Sequence, residues 1–154
     1  MEGRLKILSE CELFETLPPE ALETAAARCT EGEAEAGKAL VVEGKPAGGL
    51  YVIVEGNVDY IKRVDEKRGL VLLRWQPGDV VGLDGLMDGK EHYVSAVAAT
   101  PVKYLRLSVE DFWAVCAADP LYEHRLFGQT LLIQSAGLRQ TTVRLREFLA
   151  KIIK

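Results

Sequence analysis

The chain has 154 residues, 48% of them hydrophobic and 27% charged, and its 19 basic and 23 acidic side chains leave a net charge of −4. This is the composition of one globular domain long enough to bury a core, and it excludes a disordered chain, a stapled miniprotein and a uniformly basic nucleic-acid binder. No apolar run approaches the ~20 residues of a membrane span, and the opening MEGRLKILSECELF lacks the charged-then-apolar order of a secretory leader, so a cytoplasmic location and no membrane partner are expected.

Helix comes first. Leu17-Pro18-Pro19-Glu20 is a start signal, because proline is tolerated in a first helical turn. Leu22, Ala25, Ala26 and Cys29 then recur at helical spacing and predict one apolar face. The polar stretch from Glu31 to Lys38, with Gly32 and Gly37, reads as a connection.

Strands follow. Ala39–Val42, Leu50–Val54, Val58–Lys62, Leu70–Trp75, Tyr93–Ala99 and Val102–Leu107 are apolar, β-branched or aromatic. Gly44–Gly49, Glu55-Gly56-Asn57, Val64–Arg68, Gln76-Pro77-Gly78-Asp79 and Thr100-Pro101 punctuate them. Short strands with frequent turns predict a sandwich or barrel rather than a parallel sheet.

Helix returns at Ser108-Val109-Glu110-Asp111. The serine hydroxyl is placed to accept from the Asp111 N–H, and the acidic pair suits a helix N-terminus. Phe112, Val115 and Cys116 give that helix its apolar face. Asp119-Pro120 is a second cap-plus-proline signal, and the proline-free remainder to Lys154 reads as one long helix. The expected division is residues 1–118 as a roll with its flanking helices and 119–154 as a dimerisation-type helix.

Catalytic and metal chemistry lack their usual residues. Cys11, Cys29 and Cys116 form no CxxC pair and are read as structural thiols. Only two histidines exist, His92 and His124, on different elements, so no metal site is expected. Ser95 has no evident His/Asp partner set, and no catalytic residue is assigned.

Four segments together resemble the cyclic-nucleotide-binding domain family, which includes the bacterial cyclic AMP receptor proteins. They are Leu13-Phe14 with Leu17-Pro18, Gly37-Lys38-Ala39-Leu40-Val41-Val42-Glu43-Gly44, Leu50–Val58, and Gln76-Pro77-Gly78-Asp79-Val80-Val81-Gly82. The resemblance runs over about residues 5 to 150. It implies a mainly β fold with flanking helices, a jelly-roll-like β-roll of eight strands followed by a long C-terminal helix. It also implies a cyclic nucleotide held by a short helix and loop, the phosphate-binding cassette. That cassette reads Phe-Gly-Glu-Leu-Ala/Gly-Leu, a variable loop, then Arg-Ser/Thr-Ala. The glutamate accepts from the ribose and the arginine pairs with the phosphate.

Here the cassette reads Val81-Gly82-Leu83-Asp84-Gly85-Leu86-Met87, then Asp88-Gly89-Lys90-Glu91, then His92-Tyr93-Val94-Ser95-Ala96. Gly82 matches the cassette glycine and Gly85-Leu86 its small-apolar pair. Leu83 replaces the glutamate, and His92 falls where the arginine is expected. Neither Tyr93 nor Val94 supplies a cation if the register shifts. A hydrogen bond to a charged group is worth about 1.5–3 kcal/mol, so losing two turns a micromolar binder into roughly a millimolar one. Asp84 could reach a ribose, and Lys90 or protonated His92 a phosphate. The plainer reading is that Asp84 caps the short helix and Lys90 is solvated. An apolar or uncharged ligand is a third option, since Leu83, Leu86, Met87 and Val94 make the pocket greasier. The candidate ligand-binding residues are therefore Gly82, Leu83, Asp84, Gly85, Leu86, Lys90, His92, Tyr93 and Val94.

At 1.5 Å per residue, positions 119–154 make about 50 Å of helix, too long for a roll with a radius of gyration near ~14 Å to cover. Leu131, Leu138, Leu145 and Ile152 recur every seven residues and predict a homodimer through a parallel helix pair. The resemblance agrees. The alternative is a kinked helix folded back on its own roll. The basic end (Arg139, Arg144, Arg146, Lys151, Lys154) is read as a solvated face, and no element to enter a DNA groove is seen, so no DNA binding is expected. The expected function is a non-enzymatic, ligand-sensing regulatory domain with weakened or altered cyclic nucleotide binding and no other cofactor. The alternatives are a ligand-free dimerising interaction module and a truncated transcription regulator.

Overall fold

The computed structural model describes residues 1–153. Two helices open the chain, α1 (Glu2–Ser9) and α2 (Pro19–Arg28), and the strands β1 (Thr30–Ala34), β2 (Ala39–Val41), β3 (Gly49–Glu55), β4 (Val58–Arg63), β5 (Gly69–Trp75) and β6 (Val80–Val81) follow. The short helix α3 (Leu83–Asp88) interrupts them before β7 (Ser95–Ala98) and β8 (Val102–Ser108). Helices α4 (Val109–Ala118) and α5 (Pro120–Ile152) end the described chain.

The strands form two four-stranded sheets, ordered β1-β8-β3-β6 and β2-β7-β4-β5, with every pairing antiparallel. This is the jelly-roll-like β-roll expected from the sequence. Side-chain alternation divides its core in two. On β3 and β8, Leu50, Val52, Leu105 and Leu107 face the helices and join Leu8, Phe14, Ala25, Phe112 and Leu126. The intervening Tyr51, Ile53, Val102 and Tyr104 turn into the roll, where they meet Val41, Val58, Val81, Ala96 and Ala98.

The helix starts behave as their residues dictate. Ser108 Oγ accepts from the Asp111 N–H at 3.1 Å, and Asp119 Oδ1 accepts from the Leu121 N–H at 2.8 Å. Gln129 Nε2 on α5 donates to the Glu12 carbonyl at 2.7 Å, and Arg125 donates to the Thr16 carbonyl. These contacts fasten the first third of α5 to the N-terminal segment.

Three segments depart from the sequence reading. The stretch read as a connection contains β1, an outer strand paired with β8. Its residues TEGEA are polar because most of them face solvent, and Gly32 lies where a Cβ would strike the Tyr104 ring at 2.5 Å. Helix α1 has no counterpart in the sequence reading, since Leu8 is its one buried residue and no apolar period announces it. The predicted strand Tyr93–Ala99 is shorter, Ser95–Ala98, because residues 92–94 belong to the cassette loop. The last helix is continuous from Pro120 to Ile152. The predicted extension to Lys154 lies outside the described residues.

Helix α5 exposes its leucine stripe along most of its length. Leu131 is 71% exposed, Leu138 70%, Leu145 54% and Ile152 62%. No helix is long and apolar enough to cross a membrane among the described residues.

Candidate functional site

The cassette starts where β6 runs out. Gly82 takes a left-handed φ of 95°, and a Cβ there would stand 2.8 Å from the Gly49 carbonyl oxygen. Only glycine enters this turn without strain. The Gly82 N–H donates to the Tyr60 hydroxyl at 3.1 Å, which ties the helix start to β4. Burial pushes the Tyr60 phenol above its ordinary value, so the ring stays neutral. Helix α3 then buries Leu83, Asp84, Gly85 and Leu86 in succession.

Asp84 and His92 meet inside the protein. His92 Nδ1 lies 3.0 Å from Asp84 Oδ1, and both side chains are nearly inaccessible. The other oxygen, Oδ2, accepts from the Tyr93 N–H at 3.3 Å. The backbone of His92 is fixed as well. Its N–H donates to the Lys45 carbonyl at 3.0 Å and its carbonyl accepts from the Gly44 N–H at 2.8 Å. The returning loop presses on Gly85, where a Cβ would lie 2.8 Å from the Lys90 carbonyl oxygen and 3.1 Å from the His92 ring. A glycine is required there by close approach.

The nine sequence-predicted site residues thus separate into groups. Gly82 and Gly85 are turn and packing positions. Leu83 and Leu86 are core residues, each 2% exposed. Asp84 and His92 satisfy each other. Asp84 does not cap α3, contrary to the plainer sequence reading, because Gly82 holds the cap position with no side-chain bond. Lys90 is exposed, and its backbone N–H donates to Asp88 Oδ1 at 2.9 Å. Tyr93 is exposed and Val94 buried.

Leu83, Tyr93 and Val94 line a cavity of about 140 Å³ between the β4–β5 sheet and α5. Sequence reasoning missed its other walls, which include Tyr60, Leu73 and Trp75 from the sheet and Ile133 and Gly137 from α5. The Tyr60 and Trp75 rings meet edge to face at 5.2 Å. The signal was present in part, because Tyr60 is two residues from Val58 and so points to the same face of β4. The approach of α5 to that face has no local signal.

No cluster of three or more metal-ligating side chains occurs among the described residues. All three cysteines are free and buried. Burial pushes the Cys11 thiol up to about 12 and those of Cys29 and Cys116 up to about 11, which makes them inert.

Comparison with known proteins agrees with this geometry. The structure aligns with a cyclic nucleotide-binding domain from Methylobacillus flagellatus KT at a TM-score of 0.80, 23% identity, 95% coverage of this chain and 82% of that one. It aligns with the catabolite activator protein of Thermus thermophilus at 0.71, 26% identity, and 89% and 62% coverage. In sequence the chain is 31% identical over 116 residues to the cyclic AMP receptor protein of Thermus thermophilus, covering 74% of this chain and 53% of that relative. The chain therefore spans about half the length of that relative. The model of the cyclic nucleotide-binding domain family matches residues 31–119, from β1 through the cassette to the end of α4. With that match on the same roll and cassette, the chain belongs to the cyclic nucleotide-binding domain family.

Proposed function

We propose that this domain is a non-catalytic regulatory module in which cyclic nucleotide binding is weak or replaced by another ligand. The observation that carries the reading is the Asp84–His92 bond. The two side chains that the sequence offers to ribose and phosphate, Asp84 and His92, are buried and committed to each other. Freeing them would break a bond between buried groups and leave both to be satisfied anew. The cavity beside them has about 140 Å³, below the roughly 300–1,000 Å³ of ordinary ligand pockets. Leu83 stands on its wall and offers no acceptor to a ribose hydroxyl.

The output of such a module is α5. Its exposed seven-residue stripe supports a homodimer through a parallel helix pair, with a two-state change in that pair as the signal.

Calorimetric titration with cyclic AMP and cyclic GMP tests the reading. The expected outcome is a dissociation constant no tighter than about 1 mM, the value left after two charged hydrogen bonds are lost. Micromolar binding of either nucleotide would overturn it.

A further inference from the structure

Helix α1 buries only Leu8, so it does not close the sheet beside it. A groove of about 420 Å³ remains between α1 and the strands β1, β3 and β8, and it shares no residue with the cassette. That volume lies within the roughly 300–1,000 Å³ of ordinary small-molecule pockets. Ile7, Val54 and Leu105 line it, and all three belong to the helix-side core. The groove therefore offers an apolar floor to whatever enters it.

Its polar rim is unevenly paired. Leu105 faces the helices, and its partner across the ladder is Glu31. Arg4 on α1 donates through Nε to Glu31 Oε1 at 3.0 Å, so Glu31 points to the α1 side. Glu33 and Lys103 lie two residues away along the same strands and point to that side as well. They stand directly opposite each other, yet the Lys103 ammonium bonds Glu55 Oε2 at 3.2 Å instead. Arg4 is held a second time, because its Nη1 donates to the Cys29 carbonyl at 2.9 Å. Both cationic side chains on the groove are thus engaged. The Glu33 carboxylate makes no hydrogen bond or ion pair among the described residues. An anion would have to break one of these bonds to find a partner, whereas a cation meets an uncommitted carboxylate above an apolar floor.

We infer that this groove is a binding site for a small organic cation, an amine with an apolar arm. The charge meets Glu33, and the arm lies on Ile7, Val54 and Leu105. The inference goes beyond the regulatory reading and does not depend on it.

The probe is 4-phenylbutylamine, compared with 4-phenylbutanol, which has the same arm without charge, and with 4-phenylbutyrate, which reverses the charge. Met1 also borders the groove. The titration is run at about pH 9, where an α-amine of ordinary pKa ~7.7–8.0 is largely neutral and an alkylamine near ~10.4 keeps its proton. The readout is the ¹H–¹³C methyl spectrum, with the Ile7 signal identified by its loss in Ile7→Val. The amine is expected to shift that signal saturably with a dissociation constant of about 1 mM or below. The alcohol is expected to bind about threefold more weakly, the margin that an exposed ion pair supplies, and the carboxylate more weakly still. Glu33 is exposed, so Glu33→Gln keeps the fold and is expected to bring the amine down to the level of the alcohol. No saturable shift of Ile7 with the amine would overturn the inference. Equal binding of amine and alcohol, tighter binding of the carboxylate, or an amine affinity unchanged in Glu33→Gln would overturn it as well.

Discussion

Asp84 and His92 are eight positions apart, and neither looks structural in isolation. One stands on the first turn of a six-residue helix and the other at the end of a glycine-containing loop. They meet because Gly85 has no side chain to hold the returning loop away. Removing the carboxylate takes away the partner of the buried His92 Nδ1 and of the Tyr93 N–H. Asp84→Ala is therefore expected to destabilise the fold by about 1–3 kcal/mol, and Asp84→Asn by less, because an amide oxygen keeps one of the two bonds. Urea denaturation of the two variants checks this, and equal stability of Asp84→Ala and the parent would show that the pair does not hold the cassette together. The sequence identified both residues as site candidates, but their pairing was not legible in it. A hydrogen bond between side chains depends on rotamers and on a loop path that no spacing rule fixes.

At the scale of elements, local rules carried most of the secondary structure. Ser108 and Asp119 cap their helices as their types dictate, and the β3–β5 and β8 strands follow from apolar, β-branched and aromatic runs bounded by turn residues. The exceptions are elements whose stability is borrowed. Strand β1 is polar and exists because β8 offers it a ladder, and α1 contributes one buried side chain. Neither has a period to read. Helix α5 contains two glycines in unequal settings. At Gly128 a Cβ would meet nothing within 4 Å, so nothing in the fold requires its absence. Gly128→Ala is expected to raise stability by about 1 kcal/mol through helix propensity alone. A rise in the midpoint of thermal or urea unfolding, without a change in the urea slope, is the signature, and a fall would mean that position 128 packs against something in the assembled protein.

For the whole molecule, the division of labour runs along α5. Its first part is anchored by Gln129 and Arg125 to the N-terminal segment, its middle closes the cavity, and its remainder carries leucines into solvent. Apolar side chains repeated every seven residues gain little in water and much in a helix pair. Leu145 is half exposed in the single chain, so changing it costs the roll little. Leu145→Glu is expected to convert a dimer to a monomer in sedimentation equilibrium at micromolar concentration while leaving the melting of the roll in place. A parent protein that sediments as a monomer at the same concentration would refute the helix pair.

A strand-rich sandwich or barrel, the helix caps and the stripe on the last helix could be read from residue order, and the family resemblance added the β-roll and the cassette glycines. Each of these is encoded locally, by a residue type that one backbone conformation demands or by a period that one face requires. Three outcomes emerge only in the folded chain: Asp84 and His92 turn to each other, β1 joins the sheet, and α5 lies over Tyr60 and Trp75 to leave a small uncharged cavity. They depend on contacts between segments far apart in the chain, where packing and the satisfaction of buried polar groups select among arrangements that local preference leaves equal.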